Sequence, residues 1–86
     1  MPEISRFYGI VIKMFFDDHN PPPFHAEYAD NVALIAIRTL SVFSGHLPPR
    51  AMGLVVQWAA LHQQELLADW ERAQTQRELL KIAPLE

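Results

Sequence analysis

Residues 5–16, SRFYGIVIKMFF, decide the fold. The stretch is rich in aromatic and β-branched side chains, which pack well on a pleated surface, so it reads as a β-strand. Its even positions, Ile10, Ile12, Met14 and Phe16, are all apolar, while Gly9, Val11, Lys13, Phe15 and Asp17 are mixed. Strand side chains alternate between faces, so the even set is the expected core face. Next comes FHAEY, with Phe24, Ala26 and Tyr28 on one side and His25 and Glu27 on the other. Ala29-Asp30-Asn31 is turn chemistry, and VALIAIRT (32–39) reads as a third strand. Thr39-Leu40-Ser41 turns into a short fourth strand through Val42 and Phe43, stopped by Gly45.

From Pro48 the period changes. Pro48 and Pro49 suit a helix's first turn, where a missing N–H removes no intrahelical bond. Ala51, Leu54, Val55, Trp58 and Leu61 fall at helical spacing, and Leu66, Trp70 and Ala73 continue the stripe. One helix from about 49 to 75, or two with a bend near His62-Gln63-Gln64, satisfies the pattern. The tail ELLKIAPLE packs as an extended segment, because Pro84 bars a helix interior. Strands followed by helices predict an α+β fold: a small antiparallel sheet of three to four strands, then one long or two shorter helices packed on one face. We expect one domain over 1–86, with strands in about 5–44, helix in about 48–75 and an extended tail over 76–86.

Composition narrows the function. Half of the residues are hydrophobic, which argues against disorder. The formal charge is −3 and the seven Lys and Arg are scattered, so no basic stripe for nucleic acid stands out. Without cysteine there is no disulfide and no thiolate chemistry. The opening MPEISRF lacks a signal-peptide pattern, and no apolar run approaches the roughly 20 residues that cross a membrane. A cytoplasmic protein is the expectation.

Residues 17–28, DDHNPPPFHAEY, concentrate the chemistry. If Asn20–Phe24 forms a hairpin loop, His19 faces His25 and Asp17 faces Glu27, with directly opposite Cβ atoms about 5 Å apart. Phe16 and Tyr28 then point to the core. Pro21, Pro22 and Pro23 favour an extended rod of roughly 3.1 Å per residue, which stiffens the segment but resists tight reversal. Three uses compete. His19, His25 and Glu27 make an acid–base set for phosphodiester cleavage of RNA, with Arg6 or Lys13 neutralising a phosphate. Two histidines plus Asp17 or Glu27 suit a divalent metal, although H-x5-H is no strong ligand spacing and a metal is not favoured. Finally, Asp17, Asp18, Asn20, Pro21, Pro22, Phe24 and Tyr28 form a recognition surface. Against these stands a purely structural loop.

Elsewhere, His62, Glu65 and Asp69 share a helix face, as a solvated or capping arrangement. Trp58 and Trp70 belong to the core, and His46 to a turn. Arg50 sits unfavourably in a helix's first turn, which hints that it binds an acidic side chain or a phosphate.

The segments MPEISRFYGIVIKMFFDDHNPPPFHAEY, LPPRAMGLVVQWAALHQQELLADWERA and KIAPLE resemble the small bacterial family of domain of unknown function 4160. Its members often carry histidine where this chain has Pro23, so a three-histidine metal site is not expected here. The resemblance implies a small protein encoded beside a second one, in an arrangement like a toxin–antitoxin pair. It implies a cognate protein partner, leaves RNA and self-association as further partners, and assigns no activity.

Overall fold

The computed structural model describes residues 3–16 and 21–86. Five strands form one antiparallel sheet in chain order: β1 (Glu3–Phe7), β2 (Ile10–Lys13), β3 (Pro23–Tyr28), β4 (Asn31–Ala36) and β5 (Val42–Gly45). Two helices follow, α1 (Pro49–Leu61) and α2 (Gln63–Gln74). The α+β class stands, with one strand more than expected.

The extra strand comes from SRFYGIVIKMFF, which is two strands rather than one. Tyr8 and Gly9 lie at φ 51° and 79°, so the chain reverses between Phe7 and Ile10. Positive φ at both central residues closes a two-residue hairpin compatible with strand twist. Gly9 adopts it freely, whereas Tyr8 does so under strain.

The β2–β3 register also differs from expectation. Lys13 faces His25, Ile12 faces Ala26, Val11 faces Glu27 and Ile10 faces Tyr28. His25 therefore has Lys13 opposite it, not His19. Ile10, Ile12 and Met14 match the apolar side of β3 more fully than any pairing through residues 16–19. The displacement is an even number of residues, so the core side of each strand is unchanged. Ile10, Ile12, Met14, Phe24 and Ala26 are all fully buried. Phe16 is past the end of β2 and is 45% exposed, so it does not reach the core.

The helices cover one side of the sheet. Trp58 of α1 is fully buried, with its ring 5.3 Å from that of Phe7 and 6.1 Å from that of Phe24. Pro48 is extended at φ −55° and ψ 149°, and Pro49 opens α1. The helices part at His62, whose φ of −125° leaves the helical range. Gln63 then donates from Nε2 to the carbonyls of Ile37 (2.9 Å) and Arg38 (3.2 Å), fixing the start of α2 to the turn after β4. Beyond α2 the tail is irregular. Its Ile82 N–H bonds to the Ile4 carbonyl at 2.8 Å, and its Ala83 carbonyl accepts the Trp58 Nε1–H at 2.8 Å.

Trp58→Ala should cost about 3–5 kcal/mol, a large share of the stability of so small a domain. Urea unfolding followed by circular dichroism should show little or no folded baseline. Trp58→Phe should fall between this variant and the wild type, because it keeps one aromatic ring but loses the rest of the indole and the bond to Ala83.

Candidate functional site

The side of the sheet away from the helices carries two cross-strand rows. Arg6, Val11, Glu27 and Val32 form one; Glu3, Lys13, His25, Leu34 and Ser44 form the other. The His25 ring packs edge-on to Phe15 with centroids 4.6 Å apart. Lys13 Nζ is 3.1 Å from Glu27 Oε2, a diagonal pair across β2 and β3. Arg6 donates from Nε and its terminal nitrogen to Glu3, at 3.0 and 2.8 Å. Those hydrogen bonds hold the Glu3 carboxyl below the usual carboxylate range and raise Arg6. Both cations expected to receive a phosphate thus face carboxylates instead.

Among the expected site residues, Asp17, Asp18, His19 and Asn20 lie outside the described residues. Pro21 is exposed, whereas Pro22 and Pro23 are buried, and the Pro22 carbonyl accepts the Ile37 N–H at 2.9 Å. Phe24 sits in the core against Trp58. The end of the proline run is therefore packed structure. Among the described residues, no three His, Asp or Glu side chains gather as a metal site.

Tyr28 and Arg50 meet at a place where the sequence linked neither to the other. Tyr28 ends β3 on the helix side, at the margin of the covering helices, and remains 36% exposed. It borders a cleft of about 270 Å³ with Tyr8, Ile10, Pro48, Arg50 and Leu54. Tyr8 is the residue that sequence reasoning missed. The Tyr-Gly pair inside an apolar run was the available signal for a turn that would expose it.

The sheet edges are unlike each other. The tail bonds to β1 through Ile82 and Ile4, while all four residues of β5 are exposed. Val42 and Phe43 are 41% and 48% exposed, and Val32 on the neighbouring strand is 43% exposed. Gly45 ends β5 at φ 72°, where an added Cβ would come within 2.0 Å of the Val32 carbonyl oxygen.

The helix-face group has a structural use. His62 pairs with Glu65. Asp69 is fully buried and accepts from Arg72 (2.8 Å) and from the Leu80 backbone N–H (2.9 Å), so it fastens the tail to α2. It caps backbone, as one of the expected arrangements had it, but within the interior and not in solvent.

Fold and surfaces together define a small α+β protein: a five-stranded antiparallel meander with a helix pair on one side. Residues 9–71 match the family described as Domain of unknown function (DUF4160), and the chain belongs to it. No curated protein and no solved structure matches. No helix among the described residues is long and apolar enough to cross a membrane.

The Glu3 carboxyl should titrate below an ordinary glutamate, and Arg6→Ala should raise its midpoint, read by carbon-detected NMR. A depressed carboxyl stabilises the fold at neutral pH and loses that contribution as pH falls through its folded value. The wild type should therefore lose more stability on acidification than Arg6→Ala does.

Proposed function

We propose that this chain is the partner-binding component of a two-protein, toxin–antitoxin-like pair, and that it receives an extended segment of a small cognate protein along β5. The open edge of β5 carries the reading. An end strand offers unpaired backbone groups, and strand addition is a common way to bind a peptide segment. Val32, Val42 and Phe43 provide apolar contacts beside that edge. The other edge meets the chain's own tail, so β5 is the end left for a partner.

Charge favours protein over RNA as the occupant. Net charge is −3, and Arg6 and Lys13 each face a carboxylate. Phosphate binding needs cations available to displace counterions. RNA cleavage by His19 and His25 loses support because Lys13 stands opposite His25. A divalent-metal regulator has less support still. Family membership leaves the paired-gene role as a proposal drawn from resemblance.

Co-expression with the neighbouring gene's product should yield a complex that survives His25→Ala. Phe43→Lys and Val42→Lys should each weaken it at least tenfold, while circular dichroism shows both variants folded. Loss of the complex on His25→Ala alone would move the interface to the open side of the sheet. Growth arrest by this chain alone, abolished by His25→Ala, would replace the binding reading with a catalytic one.

A further inference from the structure

The cleft bordered by Tyr8, Tyr28 and Arg50 combines three features that the β5 reading does not use. Ile10, Pro48, Ala51 and Leu54 give it an apolar lining. Two tyrosines line it as well and keep contact with solvent, with Tyr8 60% exposed and Tyr28 36% exposed. Arg50 supplies a guanidinium, and no carboxylate among the described residues pairs with it.

The tyrosines are held in unlike ways. The Tyr28 ring lies over Gly9, its Cε1 3.5 Å from where a glycine Cβ would stand. That is ordinary van der Waals spacing, so the ring flanks the turn, and what the turn asks of Gly9 is its φ of 79° and not room for the ring. Tyr8 is held at φ 51°, a conformation that favours Gly, Asn or Asp in this kind of turn. A bulky residue there is strained, as Leu40 and Gln76 are at φ 60° and 58° in other turns. Its ring remains exposed and contributes little burial in exchange for the strain.

We propose that this cleft binds a small molecule with one flat aromatic ring system and one anionic group. The ring stacks on the tyrosines and covers Ile10 and Leu54, and the anion meets Arg50. Stacking and cation contacts reward that combination, and a guanidinium donates paired hydrogen bonds to carboxylate and phosphate alike. A cleft of about 270 Å³ suits a single ring system with its anion, not a dinucleotide. A nucleoside monophosphate and an aryl carboxylate share this chemistry.

The test titrates the full chain alone with AMP, UMP, indole-3-acetate and inorganic phosphate, followed by amide NMR shifts and calorimetry. At least one aromatic anion should bind with shifts centred on Tyr8, Tyr28 and Arg50, and inorganic phosphate should bind at least tenfold more weakly. Preference for AMP or UMP identifies a nucleotide source; preference for indole-3-acetate identifies a carboxylate. Arg50→Gln should weaken binding at least tenfold. Tyr8→Asn should weaken it as much while raising the melting temperature, because asparagine suits the turn; this separates lost binding from lost fold. Phosphate binding as tightly as the aromatic anions, no saturable binding by any probe, or unchanged affinity in both variants would each overturn the proposal. None of these outcomes bears on the β5 complex, which is assayed without the small molecules.

Discussion

Trp58 is the contact on which the rest of the structure depends. Its indole lies under Phe7 and Phe24, so α1 grips β1 and β3 together. Its N–H holds the Ala83 carbonyl, and its ring also lies 5.5 Å from that of His62 at the break between the helices. One side chain thereby joins the sheet, both helices and the tail. A short chain has few buried residues with which to offset the entropy of ordering, so one large, fully buried ring carries an unusual share of the stability. Its polar atom is satisfied as well, which removes the usual cost of burying an indole.

Much of the fold was legible because burial imposes periods. Ile10, Ile12 and Met14 alternate in β2, Phe24 and Ala26 in β3, and Val55, Trp58 and Leu66 keep helical spacing. What periodicity cannot register is a reversal inside an apolar run. Tyr8-Gly9 sits between Phe7 and Ile10 with no polar punctuation, so two strands read as one. Register escaped for a related reason. A two-residue period fixes which side faces the core but tolerates any even displacement, and only the three-dimensional fit of Met14 and its neighbours chooses among them.

The candidate surfaces were less legible. Types of side chain were visible in DDHNPPPFHAEY, but their neighbours were not: the partner of His25 is set by a register that the sequence left open. Pro22 and Pro23 looked like a recognition rod and are buried, because they lead straight into the core strand that carries Phe24. Arg50 was conspicuous for its place in a helix, yet its company, Tyr8 and Tyr28, comes from a turn and a strand end far away in sequence. Asp69 looked solvated or capping from its helical neighbours, with nothing to say that it would be buried. The tail that buries it returns through Leu80, which no local pattern announces.

The tie between Ile82 and Ile4 has a consequence for the route to this fold. The five strands pair only with sequence neighbours, so their contacts close over short separations in the sequence and need little search. The tail must close a loop almost as long as the chain to reach β1. Loop entropy grows slowly with length but delays such distant contacts relative to the local ones. With the tail displaced, β1 as well as β5 would present an end strand, the kind of edge that can join another copy. The Ile82 bond occupies the Ile4 carbonyl, so residues near one end of the sequence partly cover the strand near the other.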